Sequence, residues 1–269
     1  MSCIKPLTIT HNTTRHLVPC GKCAFCLRTK RNEWLFRLHH ESRVQTLPAH
    51  FLTLTYDEKH CPRFKGARTL WFRHLQLYFK RLRKAKAKIK YVAVGEYGTK
   101  TQRPHYHVIL WTDANHDLLS RQWHHGAVHF GTLTPASIAY TLKYIIQPKI
   151  GDNETRQRTR AQFSKGLGAC FLTAKVHEHL SGDEENPVFE TRINGAIRPL
   201  PRYYRSKIYT KYQLGKQRSK QYWESIKQRR KEVKRLINTG QTDVKAYLKA
   251  RAIHNAQKIV SKVNFNQTI

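Results

Sequence analysis

The residues of this chain best suited to phosphate chemistry are a pair of histidines, a carboxylate and a pair of tyrosines. His105 and His107 stand two apart in RPHYHVIL, residues 103–110. In a strand that spacing turns both imidazoles to one face with Ile109, while Tyr106, Val108 and Leu110 point to the other. Glu96 is the only carboxylate in the preceding stretch YVAVGEYGTKTQRPHYH, and the intervening turn is short enough to bring it alongside. Two imidazoles and one carboxylate make a divalent-metal site with open positions. The same donor set also serves iron oxygenases, so ligand types alone do not name a reaction. With 16 histidines in 269 residues, His-x-His arises by chance roughly once, so its context must decide. A second copy, His177-Glu178-His179, has no apolar strand continuing from it and reads as surface.

The tyrosines lie in SIAYTLKYIIQPK, residues 137–149. At helical spacing Ile138, Leu142, Ile145 and Ile146 share one face, and Tyr140, Lys143, Tyr144 and Gln147 the opposite one. Pro148 should end the helix. A phenol with a pKa of about 10 is a poor nucleophile at neutral pH unless a metal or an ammonium assists it. The chemistry that follows is concrete. Glu96, His105 and His107 would hold Mg²⁺ or Mn²⁺, which polarises a phosphodiester for in-line attack by Tyr140 or Tyr144. Lys143 would stabilise the phosphorane charge or the phenolate. The plainer alternative is that both tyrosines are surface aromatics that stack on bases or protein.

Two further groups stand out. Cys20, Cys23 and Cys26 are regularly spaced in VPCGKCAFC, with Cys3 available as a fourth thiol, a set that could hold a structural Zn²⁺. Small buried thiols, a redox-sensitive cluster or an iron–sulfur site use the same residues. PLPRYYRSKIYTKYQ, residues 199–213, mixes tyrosines with basic residues, as a single-strand track would, and Arg202, Tyr203, Tyr204 and Arg205 join Arg103 as candidate DNA contacts. An extended segment whose tyrosines pack on the core is the competing reading.

The elements that must position these residues can be read from periodicity. FLTLTY (51–56) alternates as a strand; residues 70–88 carry Phe72, Leu75, Phe79 and Leu82 as the stripe of an amphipathic helix. YVAVGEYG and HYHVILW follow as strands around a turn, then a short polar helix near 115–123, a strand in AVHFGTL and a helix from Pro135 to Gln147. The Cys-rich turn opens into a helix carrying Trp34, Leu35 and Leu38, and residues 151–168 read as a polar loop. Beyond about 217 the chain becomes two basic helices joined at Thr239-Gly240. The expected class is α+β: an antiparallel central sheet of ferredoxin-like or RRM-like type with flanking helices, plus a C-terminal helical extension. The expected divisions are a cysteine-containing segment and helix (1–45), a catalytic domain (46–215) and a basic helical tail (216–269).

The formal net charge is +33, from 50 Lys and Arg against 17 Asp and Glu, spread along the chain. Self-repulsion of that size points to a polyanionic partner, and nucleic acid is the obvious one. A small organic substrate fits that charge poorly. No run approaches a membrane span, and the start MSCIKPLTIT lacks signal-peptide regions, so no membrane role is expected and the thiols should stay reduced.

Taken together, FLTLTY, the Glu96 strand with RPHYHVILW, and YTLKY resemble the three motifs of HUH-type endonucleases, which nick single-stranded DNA to start rolling-circle replication. The Tyr140-x-x-x-Tyr144 spacing is similar to that of microvirus initiators. VPCGKCAFC, GEYG…RPHYH and INGAIRPLPRYYRSKIY resemble the initiator of gokushovirus-type phages, over roughly Cys3 to Tyr209. The resemblance implies a central histidine strand with the tyrosine helix packed over the metal. It also implies nicking and rejoining at a replicative-form origin through a 5′-phosphotyrosine, host helicase and polymerase as partners, and the bacterial cytoplasm as location. Relatives often carry a lysine three residues after the second tyrosine. Gln147 stands there in this chain, which puts more weight on Tyr140. Relaxases and transposases of the same superfamily, or a non-catalytic sheet-based nucleic-acid-binding protein, are the alternatives.

Overall fold

The computed structural model describes residues 3–11, 14–98, 100–146, 156–182, 185, 187–193 and 195–265; for residues 11, 14, 16, 135, 144–146 and 262–265 it describes the backbone alone. In chain order come β1 (Leu7–His11), β2 (Thr14–Val18), α1 (Ala24–Val44), β3 (Ala49–Thr55), β4 (Arg63–Phe64) and β5 (Ala67–Arg68). Then follow α2 (Phe72–Lys84), β6 (Ile89–Tyr97), β7 (Pro104–Thr112), α3 (His116–Arg121), β8 (Val128–Gly131), α4 (Pro135–Ile146) and β9 (Ala161–Phe163). The last elements are α5 (Ala174–Ser181), β10 (Glu190–Ile193), β11 (Ala196–Pro199), α6 (Arg202–Ile208), α7 (Lys211–Asn238) and α8 (Val244–Phe265).

The chain divides into two compact units, one of residues 34–170 and one combining 1–33 with 171–269. The division falls inside α1 and after β9, not at the composition changes near 45 and 215. Residue composition does not report that a terminal segment packs with distant parts of the chain.

Residues 34–170 are built on a five-stranded sheet of order β8-β3-β7-β6-β9, with every pairing antiparallel. The histidine strand β7 is therefore central. On one face Leu52, Leu54, Ala93, Tyr106, Val108 and Leu110 pack against Phe72, Leu75, Tyr78, Phe79 and Leu82 of α2. α2 forms because these apolar residues recur at helical spacing, and Arg81, Arg83 and Lys84 complement its C-terminal dipole. On the other face Val92, Ile109 and Trp111 pack against Leu38 of α1 and Leu142 of α4. Trp34 stacks on Phe163 with ring centroids 3.5 Å apart. Glu41, 1% exposed, accepts from Lys90 Nζ and the Gly168 backbone N–H, both at 2.6 Å, and so ties α1 to β6.

The expected polar loop 151–168 is corrected here: residues 151–155 lie outside the described residues, but Ala161–Phe163 adds a sheet strand on β6. Three residues are too short for alternation to reveal in a sequence. In the other unit, two hairpins (β1–β2 and β10–β11) accompany α5 to α8. α7 starts at Lys211, earlier than expected, because Thr210 and Gln213 form a reciprocal capping box. No helix among the described residues is long and apolar enough to cross a membrane.

Candidate active site

The register of β3, β7 and β6 assembles the site. Glu96 pairs directly with His105, Val94 with His107, Thr53 with His107 and Thr55 with His105. Alternation then puts Thr53, Glu96, His105 and His107 on the α4 face, and Tyr106 on the α2 face, where its hydroxyl accepts from the Trp71 N–H at 2.9 Å. Burial pushes the Tyr106 phenol well above its ordinary pKa, so it stays protonated and structural. Gly95, next to Glu96, has no room for a side chain: an added Cβ would lie 2.8 Å from Phe72 and 2.9 Å from Leu70. The absence of a Cβ lets α2 and its entry loop press against β6 directly beside the carboxylate.

Three side chains converge on one oxygen. His107 Nε2 lies 3.1 Å from Glu96 Oε2, His105 Nε2 3.4 Å, and the Tyr140 hydroxyl donates to it at 3.0 Å. Glu96 is 5% exposed and His107 9%. The far nitrogens of both rings are engaged: His105 Nδ1 lies 3.2 Å from the Arg103 carbonyl, and His107 Nδ1 3.1 Å from Thr53 Oγ1. A carbonyl can only accept, so His105 Nδ1 carries the proton, and its Nε2 turns a lone pair towards the carboxylate. That grouping is electron-rich and is stabilised by a cation. Burial, the larger effect, pulls the His107 pKa below its usual value against the opposing pull of Glu96, which favours the neutral imidazole that a metal binds. One ligand atom from each of Glu96, His105 and His107 can be chosen so that all lie within 4.8 Å of one another, so the donor set fits a small divalent ion.

Tyr140 arrives from α4, whose start is set by local chemistry. Ser137 N–H donates to Thr134 Oγ1 at 3.1 Å and Thr134 N–H to Ser137 Oγ at 2.8 Å, with Pro135 in the first helical position. Leu142 is fully buried, as its apolar stripe requires. The ring of Tyr140 meets that of His107 edge-on at 5.2 Å. Lys143, expected on an outer face, is instead 6% exposed, with its Nζ 5.4 Å from the Tyr140 ring centroid. The reason is that α4 lies over a polar part of the sheet, so its buried sector is wider than its apolar stripe. Tyr144 lies on the same helix; its side chain, like Gln147, Pro148 and Lys149, lies outside the described residues.

Residues 49–149 match the family model for the replication-associated protein ORF2. The chain is 26% identical over 249 residues to replication-associated protein VP4 of Bdellovibrio phage phiMH2K, covering 76% of each chain. It is 29% identical over 248 residues to replication-associated protein ORF2 of Spiroplasma virus 4, covering 80% of this chain and 73% of that one. The chain is a relative of phage replication-associated proteins. A third relative, replication-associated protein ORF4 of Chlamydia phage 1, is 23% identical over 244 residues, with 58% of its length covered. No solved structure matches the chain. The matched family segment begins at β3 and contains Glu96, His105, His107, Tyr140, Lys143 and Tyr144.

The other candidate residues of this phage-related chain fall elsewhere. Arg103 is half-buried; its Nε donates to the Tyr56 carbonyl at 3.1 Å and its guanidinium lies 3.5 Å from Glu58. The expected single-strand track over 199–213 is corrected: Arg202–Ile208 is helical and Tyr204 is fully buried, so Tyr204 offers no face to a base. Arg202 stays exposed, and Tyr203 and Arg205 are half-buried. Tyr209 is buried as well, its hydroxyl donating to the Val188 carbonyl. His177 and His179 are exposed on α5, where residues two apart diverge, so they do not form a pair. Sequence reasoning missed Thr53, which orients His107, and Phe51, whose ring stacks on His107 at 5.6 Å. The alternation of FLTLTY put both on one face, which was the available signal.

Proposed function

We propose that this chain acts in phage DNA replication as a metal-dependent endonuclease that nicks single-stranded DNA at a replication origin and later rejoins the strand. The observation that carries this reading is the convergence of Tyr140, His105 and His107 on Glu96 Oε2 at 3.0, 3.4 and 3.1 Å. A binding surface needs neither a buried carboxylate beside phosphate nor a phenol aimed at it. The printed names of the relatives, all replication-associated proteins, support the same reading.

Glu96, His105 and His107 would hold Mg²⁺ or Mn²⁺, which supplies Lewis-acid polarisation of the scissile phosphoryl group. Glu96 orients the Tyr140 hydroxyl by accepting its hydrogen bond. Attack by Tyr140 Oη forms a phosphotyrosine ester and breaks the bond to the 3′ oxygen. The phenol gives up one proton and the leaving oxygen takes one, so the step balances. Lys143, beside the ring, favours the phenolate. Because one ester replaces another, the free 3′ hydroxyl can reverse the step and join the ends without a nucleotide cofactor. That hydroxyl is also a primer for a host helicase and polymerase in the bacterial cytoplasm. Tyr144 is the candidate for the second attack. The net charge of +33 supplies phosphate affinity that falls with salt.

The test is to incubate the protein with labelled origin-containing single strands and Mn²⁺ and to look for an adduct that survives denaturation. The wild type should form it and a Tyr140→Phe, Tyr144→Phe double variant should not. An adduct in the double variant, or none with the wild type on any origin strand, overturns the reading.

A further inference from the structure

Outside the active site, the unit formed by residues 1–33 and 171–269 gathers four thiols: Cys3, Cys20, Cys23 and Cys26, all free and all half-buried. Their sulfurs lie within 4.8 Å of one another. Cys23 Sγ is 3.5 Å from Cys26 Sγ and 3.8 Å from Cys3 Sγ, and Cys20 Sγ is 4.0 Å from Cys26 Sγ. Four thiolates around Zn²⁺ at about 2.3 Å form a tetrahedron with edges of about 3.8 Å. The observed spacings straddle that edge. We propose that these four cysteines form a tetrathiolate site for one Zn²⁺ that clamps the β1–β2 hairpin to the start of α1.

The backbone around the sulfurs is arranged as such a site requires. Cys23 N–H donates to Cys20 Sγ and Cys20 N–H to Cys3 Sγ, both at 3.3 Å, contacts that steady thiolate charge. Gly21, between the first two clustered cysteines, has φ +72°, a left-handed turn that a side chain would strain. That turn carries the chain from Cys20 to Cys23 at the mouth of α1, and Cys26 lies in the first turn, where the helix dipole favours negative charge. Lys5, Lys22 and Arg28 in the adjoining sequence offset the charge of a tetrathiolate.

The hairpin also needs an anchor. Cys3 precedes β1 and Cys20 follows β2, so the cluster closes the hairpin at its base. Its apolar side chains do not hold it: Leu7, Ile9 and Leu17 are 54%, 48% and 57% exposed. A two-stranded ribbon without a core is marginal in water. Metal ligation supplies the missing constraint, releasing thiol protons as it forms.

The test is metal analysis of full-length protein purified under reducing conditions. One zinc per chain is expected, retained in a His105→Ala, His107→Ala variant and lost in Cys23→Ser, Cys26→Ser. Cobalt exchange of the wild type should give thiolate-to-cobalt charge-transfer bands with tetrahedral ligand-field absorption, a readout that survives even if the serine variant does not fold. Chelation should make residues 7–18 the first site of limited proteolysis. Wild type without zinc, zinc retained in the serine variant, iron with acid-labile sulfide, or a metal-free chain carrying disulfides between these cysteines would each overturn the proposal.

Discussion

Residues 34–170 and the unit of 1–33 with 171–269 hold their reactive side chains in opposite ways. Glu96 and His105 are direct cross-strand partners, and His107 is locked between Val94 and Thr53, with apolar clusters behind both faces of the sheet. The thiols come from the ends of an exposed hairpin and the first turn of a helix, with hydrogen bonds to sulfur and little apolar packing. A site written into strand register keeps its geometry without an ion, because the sheet has already overcome the ordering entropy. A cluster at a hairpin base depends on its ligand for that constraint. The difference assigns the sheet site to chemistry, where open positions are needed, and the thiol cluster to architecture.

Substitutions can break or sharpen that contrast. The largest effect is expected from His107→Ala, which should lower strand cleavage by about three orders of magnitude, the scale on which removing one member of a catalytic unit acts. Single-strand affinity should change only a few-fold by gel shift, and circular dichroism should stay unchanged. Collapse of the fold would show that the sheet does not pre-organise the site. Next, Thr53→Val removes the partner of His107 Nδ1, 3.1 Å away, and should weaken Mn²⁺ binding by about 10- to 100-fold in calorimetry. No change would mean that Phe51 and the strand alone aim the ring.

Gly95→Ala probes the support beneath the carboxylate. Its Cβ would meet Phe72 and Leu70 within 2.9 Å, so a loss of about 1–3 kcal/mol is expected in urea unfolding, the range for overpacking. A neutral result would mean that Phe72 moves aside freely. The smallest effect concerns acid. Burial, aided by neighbouring positive groups, lowers the pKa of His40 and of His125 to about 4, from an ordinary value of about 6.5. The unfolded chain therefore takes up these protons first. Stability present above pH 6.5 or so should be lost as pH falls towards 4, and His125→Gln should flatten part of that slope in thermal melts. An unchanged slope would assign the acid response to other groups. His125 stacks on His74 at 3.8 Å, and burial lowers the His74 pKa as well.

Much of the catalytic unit was legible because its signals are periodic. Alternation in FLTLTY and HYHVILW assigned faces correctly, down to Tyr106 turning away from the histidines. The α2 stripe and the extent of α4 followed from the spacing of their apolar residues. Elements too short for a period escaped: β9, β4–β5 and the two hairpins of the other unit. RYYRSKIY misled because tyrosine between arginines suits a nucleic-acid track and a half-buried helix equally, and composition does not tell which face is covered.

Residue order alone established the polyanion-seeking charge, the α+β class and the set Glu96, His105, His107 and Tyr140, because ligand type and strand parity are local properties. Folding added the convergence of those residues on one carboxylate oxygen, the burial of Lys143 and Tyr204, and the meeting of Cys3 with the three later cysteines. Each of these depends on contacts between residues distant in the chain, which strand register and packing fix and local spacing does not encode.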